Sequence, residues 1–413
     1  MKKEINMGIG FVTGRSNVCN VINSYYEQVL NQFKDEEYEI KLHFFILYDL
    51  SYQYTTREDF YNLLPEVYKE NIFIKYITPE NIQEQKKMLM TRDGLTQEEV
   101  DLFLGHGHAR GRNTVLYYAL KYNMDYLLFW DDDEYPIANL KNENGTITWK
   151  KQNNIQVHLK YIDDADITIG YHCGYISPIP YIDCTTIGEE NFKNYIEAIS
   201  NDIISWDSIK EKFQKNNGIT YADSLIANGE QPYELGVNGE KKWVSGSTLC
   251  INMKNIKNIP AFYNPPEARG EDTFFSIGLD ESKVIKVPVY HFHDGFLKYT
   301  SLMEESYPQR LRKIKTTETQ IEDRFLNASK GWIKYKPLLM YILDKNNYKS
   351  NVKDMYKKLK TSIPLINSLF ETSKFDILLK ELEEYDKNVE KHYKEYLQTN
   401  EIWKKIKEKN GIK

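Results

Sequence analysis

Four consecutive acids, Asp131, Asp132, Asp133 and Glu134, follow an apolar and aromatic run in the stretch YLLFWDDDEYP. Carboxylates this close repel, and each raises its neighbours' pKa until a cation compensates them. Hard oxygen ligands suit Mg2+ or Mn2+, and Mg2+ typically takes one or two carboxylates plus substrate phosphates. A solvated acidic turn would look the same in sequence. Further along, His291 and His293 end an expected strand. Strand alternation puts both on one face, where a neutral imidazole could bind a metal, although core-edge histidines would share the pattern.

Other residues could hold an anion or a sugar. GIGFVTGRSN reads as a first strand, a turn at Thr13, Gly14 and Arg15, and a helix N-terminus, where free N–H groups favour phosphate. Its glycines form neither a dinucleotide nor a P-loop fingerprint. Asp49, at the tip of the second strand, could bond a ribose or base, or cap a turn. In GHGHARGRN, Arg112 and Asn113 sit near an expected helix start, suited to a diphosphate or a sugar hydroxyl. His106 and His108 lack a helical zinc-ligand spacing. KWVSGSTLCIN reads as a strand over residues 242–252 with Gly246 in its middle, and a strand glycine often marks close approach by a ligand or backbone. Trp243 beside it could stack on a sugar or fill a core. Glu271 and Asp272 follow Gly270 before an expected helix, where acids are ordinary dipole partners.

The elements that must position these residues read as α/β. Strands are expected at residues 5–13, 40–48, 71–77, 126–130 and 284–290, alternating with helices such as 114–122, which implies βαβ units and a mostly parallel central sheet. The acids then lie beyond the carboxyl end of a buried strand, where ligand sites of open sheets form. Residues 155–160 and 165–171 read as short strands, and 191–213 as one or two helices. After about residue 306, apolar residues at three- and four-residue steps (Phe375, Leu378, Leu382, Tyr385, Val389, Tyr396) describe amphipathic helices, with Pro337 and Pro364 breaking them. Two domains follow, 1–305 and 306–413. The second could bind acceptor, brace the first, or form a homo-oligomer.

Bulk properties narrow the classes. A 413-residue chain with 41% hydrophobic and 28% charged residues is an ordered globular protein of more than one ordinary core. Its net charge of −6 argues against a nucleic-acid polymer as partner. No apolar run approaches the ~20 residues of a membrane span. The start, MKKEINMGIGFVTG, is strand-like and unlike a signal peptide, and the four cysteines show no zinc-like pairing, so a cytoplasmic protein with free thiols is expected.

The order of these parts resembles the GT-A-fold glycosyltransferases. The matching pieces are GIGFVTGRSN, GRNTVLYYAL, LLFWDDDE at the DXD position, WVSGSTLCIN, GED and HFHDG, over about residues 5–300. The resemblance implies a Rossmann-like sheet and a nucleotide-sugar donor, with UDP the expected nucleotide and Mn2+ or Mg2+ as cofactor. It places Asp131 and Asp133 on the metal, with His291 or His293 completing the shell. Thr13, Gly14, Arg15, Asp49, Arg112, Asn113, Asp131 and Asp132 would surround the donor, and Trp243, Ser245 and Gly246 the acceptor. Glu271-Asp272 is similar to the xED motif of inverting members, which implies Asp272 as general base. The enzyme so implied transfers a hexosyl or N-acetylhexosaminyl group to a glycan, lipid-linked or protein hydroxyl. Alternatives are a sugar-nucleotide nucleotidyltransferase, for which GIGFVTGRSN is a poor signature, and a non-catalytic carbohydrate-binding protein.

Overall fold

The computed structural model describes residues 3–25, 28, 38–50, 55–61, 72–176, 178–183, 188–200, 206–237, 239–299 and 306–412. Its strands in chain order are β1 (Lys3–Thr13), β2 (Tyr38–Tyr48), β3 (Phe73–Ile77), β4 (Tyr126–Phe129), β5 (Glu134–Tyr135), β6 (Ile137–Lys141), β7 (Ile147–Lys151), β8 (Ile167–Tyr175), β9 (Ile219–Thr220), β10 (Tyr233–Glu234), β11 (Leu249–Asn252) and β12 (Val284–His293). The main sheet runs β10-β12-β8-β11-β4-β1-β2-β3, and β6 and β7 form a separate hairpin.

The sheet is mixed, not mostly parallel as the sequence suggested. β1 is parallel to β2 and β4, and β2 to β3. β11 runs antiparallel between β4 and β8, while β12 is again parallel to β8. The short β5, β9 and β10 add antiparallel edges. Strand direction depends on how the chain returns to the sheet, which apolar patterning does not record.

The register explains where the acids emerge. Gly10 pairs with Phe129, so Thr13 and Asp132 both stand three residues beyond that pair, side by side past the sheet edge. β5 then fixes the far end of the run, pairing Glu134 with His293 and Tyr135 with Phe292. Asp294 N–H adds a bond to the Asp133 carbonyl at 2.9 Å.

The first helix described is α1 (Val18–Ser24); the helix expected to continue to about residue 33 runs into residues outside those described. α2 (Pro79–Asp93) starts on a Thr78/Asn81 capping box with proline at its first position. α3 (Gln97–Phe103) uses Thr96 and Glu99 in the same way. α4 (His108–Lys121) begins six residues before the expected start, so Arg112 and Asn113 lie inside it and not on a loop. α4 also explains two glycines: a Cβ on Gly10 would stand 2.6 Å from Val115, and one on Gly111 2.5 Å from Val12. Gly10 of the first strand thus admits the close approach of α4.

Residues 155–160 are helical, not a strand, within α5 (Asn154–Ile162); Ile155, His158 and Ile162 are buried at helical steps. α6 (Glu189–Ile199) and α7 (Trp206–Asn216) follow, and α8 (Glu271–Ile277) opens at Gly270 as expected. The strand expected over 242–252 shrinks to β11; Val244–Thr248 is an irregular turn, with Thr248 at φ +57°.

Four long helices complete the chain: α9 (Ile321–Leu343), α10 (Tyr348–Leu369), α11 (Ile377–Lys387) and α12 (Val389–Lys409). Pro337 and Pro364 sit inside α9 and α10 and do not break them. Pro337 is buried, and tertiary packing outweighs one lost backbone bond. These helices share a core with α6, α7 and the segment before α8, through Phe192, Tyr195, Tyr263, Phe274, Phe325 and Tyr335. α12 reaches further, placing Ile402, Trp403 and Ile406 in the core behind the sheet. Its Lys407 ammonium donates to the carbonyls of Ile256, Lys257 and Ile259 at 3.2, 2.7 and 3.0 Å.

Candidate functional site

The four acids are divided among several partners. Thr13 Oγ1 donates to Asp132 Oδ2 at 2.5 Å, and Arg15 forks across two acids, at 2.5 Å from Asp132 Oδ1 and 3.1 Å from Asp133 Oδ2. Asn17 Nδ2 donates to the Asp132 carbonyl at 2.6 Å. Thr13 in turn orders the Gly14 turn, accepting from Arg15 N–H at 3.0 Å. The expected donor residues of the first strand are therefore adjacent to the acids. Asp49 is tied to the same turn through its N–H, which bonds the Thr13 carbonyl at 2.8 Å.

Glu134 faces the other way. Only 3% exposed, its Oε1 lies 3.0 Å from His172 Nε2 and accepts from Ser247 Oγ at 2.8 Å, and its Oε2 lies 3.3 Å from His291 Nδ1. Burial works to raise its pKa, but His172 and His291 outweigh that and hold it well below the usual range. His291 is wholly buried, beside Tyr25 Oη at 3.2 Å, and burial lowers its pKa. The two expected metal histidines thus separate: His291 serves Glu134 inside the protein, and only His293 reaches Asp133.

His293 Nδ1 bonds the Tyr175 carbonyl at 3.0 Å, which leaves Nε2 aimed at Asp133 Oδ1, 3.7 Å away. Burial lowers the His293 pKa, yet Asp133 overcomes it and lifts the group to about 9. For Asp133, burial is outweighed by Arg15 and His293, which depress its pKa. Asp132 is raised, chiefly by burial, against Arg15 and Thr13. Asp131 is lifted to about 7 by its low-dielectric surroundings and its acid neighbours, against Arg112; water moderates the rise because 40% of its side chain is accessible.

Arg112 joins the two halves of the site. From the second turn of α4, Nη2 lies 3.0 Å from Asp131 Oδ1, Nε 3.4 Å from Glu271 Oε1, and Nη1 donates to the Gly246 carbonyl at 2.5 Å. Gly246 has the role expected of a close-approach glycine, but the approaching group is this guanidinium: a Cβ there would stand 2.8 Å from Nη2. Phe129 and Phe262 lie against the same guanidinium, 5.1 and 5.9 Å from ring centre to Cζ. Burial and the charge of Glu271 raise Asp272 to about 6, while Arg112 and the N–H groups of Thr273 and Gly246 restrain it. Burial also works to raise Glu271, but His108 and Arg112 depress it.

Some expected binders are placed differently. Asn113 is completely buried, its amide exchanging two 2.8 Å bonds with the Phe262 backbone, so it braces the chain and presents nothing to a ligand. Trp243 packs, half-buried, against the helical core. Ser245 is half-buried with Oγ 3.4 Å from Ser247 Oγ. Asn17, His172 and Ser247 were missed because only tertiary pairing brings them to the acids; the sequence placed Asn17 beside Arg15 but gave it no partner.

Among the described residues, no group of three or more histidine, cysteine, aspartate or glutamate side chains could hold a metal ion unaided. An ion bound here would need the rest of its shell from a ligand. Asp131 and Asp133 offer hard oxygens, and His293 has the carbonyl-anchored Nδ1 that fixes the tautomer of metal-binding histidines.

Among the described residues no helix is long and apolar enough to cross a membrane, and Cys19, Cys173 and Cys250 are buried free thiols; Cys184 lies outside the described residues. No protein-family model matches the chain, and no curated protein sequence does. Among solved structures, the apo form of mouse xyloside xylosyltransferase 1 aligns with 75% of this chain and 96% of its own, at 9% identity and a TM-score of 0.28. At that TM-score the likeness says nothing about activity.

Proposed function

We propose that this chain is a metal-dependent glycosyltransferase that moves a hexosyl or N-acetylhexosaminyl group from a nucleotide-diphosphate sugar, with UDP the favoured nucleotide, to a hydroxyl acceptor with inversion. The observation that carries the proposal is Arg112, which binds Asp131 on one side and Glu271 on the other. Two acidic segments far apart in sequence are thereby brought to one guanidinium, and in this reading the first would serve the diphosphate and its ion and the second the base.

In this reading the acceptor oxygen bonds to the anomeric carbon as the bond to the diphosphate breaks. The hydroxyl proton passes to Asp272, and the nucleoside diphosphate departs. With a pKa of about 6, Asp272 is ionised at neutral pH yet more basic than an ordinary aspartate, which suits a general base. In this reading Arg15 and Arg112 would supply cations to the diphosphate oxygens. A Mn2+ or Mg2+ held by Asp131, Asp133 and His293 would neutralise the leaving group.

The test is product analysis with Mn2+ and a panel of UDP- and GDP-sugars. Release of nucleoside diphosphate with sugar transfer supports the proposal. Pyrophosphate made from a nucleoside triphosphate and a sugar phosphate would replace it with nucleotidyl transfer, and binding without turnover at any metal concentration would leave a carbohydrate-binding protein.

A further inference from the structure

Asp294 follows His293 and is completely buried, yet both oxygens of its carboxylate bond main chain. Oδ1 accepts from the Lys298 N–H at 3.1 Å and Oδ2 from the Tyr299 N–H at 2.6 Å. The Asp294 carbonyl accepts from the Leu297 N–H at 2.7 Å, and Leu297 takes φ +52°, a conformation costly for a residue with a side chain. A carboxylate taken out of water needs donors, and those it finds here belong to the turn it opens.

That turn is part of a closed ring of contacts that starts and ends at Asp133. The Asp294 N–H donates to the Asp133 carbonyl at 2.9 Å. Tyr299, whose N–H the Asp294 carboxylate holds, lies nearly parallel to Tyr175, at 9° and with ring centres 6.2 Å apart. One residue ahead of α9 ties both rings: Tyr175 Oη donates to the Arg312 carbonyl at 2.7 Å, and Tyr299 Oη accepts from the Arg312 N–H at 2.9 Å. The Tyr175 carbonyl accepts from His293 Nδ1 at 3.0 Å, and His293 Nε2 returns to Asp133 Oδ1 at 3.7 Å. Asp294 joins the two arms, its main chain on Asp133 and its side chain on Tyr299.

We infer that Asp294 is a positioning residue: its carboxylate closes this ring and so holds the His293 imidazole beside Asp133. It acts through His293 and has no contact of its own with the ligands. The inference rests on the glycosyltransferase reading, in which Asp133 and His293 share a divalent ion.

The test is a double-mutant cycle read by calorimetric titration of Mn2+ in the presence of UDP. In Asp294→Asn one end of the side chain still accepts an N–H, while the other becomes an NH2 that cannot, so the turn loosens with little change in volume. D294N is expected to weaken Mn2+ binding about tenfold, as for the loss of an outer partner of a metal histidine. In the His293→Gln background the same substitution should change the affinity by less than about twofold, because the side chain it positions is already gone. Equal weakening in both backgrounds, which a merely structural role gives, overturns the inference, as does unchanged affinity in D294N alone. Should D294N not fold, amide hydrogen exchange of the wild type decides instead. Protection of the Lys298 and Tyr299 N–H groups that rises when Mn2+ joins UDP supports the assignment, and protection that stays as with UDP alone overturns it. If the wild type binds no Mn2+ with UDP, the metal-dependent reading fails and takes this assignment with it; if it binds and D294N matches it, the assignment alone fails.

Discussion

A Cβ on Gly270 would stand 2.8 Å from the ring of Tyr335, so the residue just before Glu271 lies flat against α9. Gly270 also has φ +91°, a conformation that L side chains rarely adopt. Gly270→Ala is expected to cost about 1–3 kcal/mol of stability. It should also displace Glu271 and Asp272, so that transfer falls more than donor binding does. Denaturant titration beside donor-binding calorimetry checks this; unchanged stability would remove the strain argument.

Asp272→Asn should leave donor affinity intact and reduce transfer by about 10²–10⁴-fold. With the base raised to about 6, the wild-type rate should fall as pH drops through that value and level off above it. Stability runs the other way. Between the ordinary 3.8 and about 6, the folded protein keeps a proton that the unfolded chain releases, so folding is less favourable as pH rises through that window. D272N should therefore raise Tm at pH 7.5 and leave it little changed at pH 3.5. Full transfer activity in D272N would take Asp272 out of the mechanism.

Arg112→Ala leaves Asp131 and Glu271 facing each other without their shared cation. Removing one partner from a buried ionic pair costs about 3–5 kcal/mol, so this variant should be far less stable and lose both donor binding and transfer. Arg112→Lys restores the charge but not the fork that reaches Asp131, Glu271 and the Gly246 carbonyl together, and is expected to recover stability only in part. Chemical unfolding of the two variants measures this, and wild-type stability in R112A would show that the bridge contributes nothing.

Metal dependence should appear first as stabilisation. Mn2+ plus a true nucleotide-sugar donor at a hundredfold excess over its dissociation constant adds about 2.7 kcal/mol, and chelation should reverse it. The Asp131→Asn, Asp133→Asn double variant should lose this shift. His291→Gln, a change inside the protein, should lower Tm without altering metal affinity, whereas His293→Gln should weaken the metal response. Equal metal affinity in wild type and H293Q would move the ion elsewhere.

The chain announced the acids and the GED segment plainly, because carboxylates after a buried strand and glycine before a helix are local signals. What it could not announce was partnership. Asn113 looked like a ligand residue because it follows Arg112, yet the helix points Arg112 at Asp131 and buries Asn113 against Phe262. The acids read as one cluster, but at the start of β5 Asp133 meets His293 and Glu134 meets His291. Gly246 was expected to admit a ligand or a backbone within a strand; it lies before β11, and the group against it is the Arg112 side chain from α4. Residues 155–160 were misread because short apolar stretches satisfy both periods, and 108–113 because glycine and charged residues read as loop although they open α4.

α12 anchors the segment leading to α8, through Lys407 on three carbonyls and Asn400 on the Ala261 N–H at 3.1 Å. During synthesis, a ribosome that has released residues only as far as Ile277 has delivered both acidic loops but none of the scaffolding that steadies the later one. Folding of the sheet can precede competence by the time needed to translate the remaining helices. A chain stalled or clipped before residue 389 would be expected to keep much of its sheet and to lack the braces that α12 places on the segment before Glu271 and Asp272.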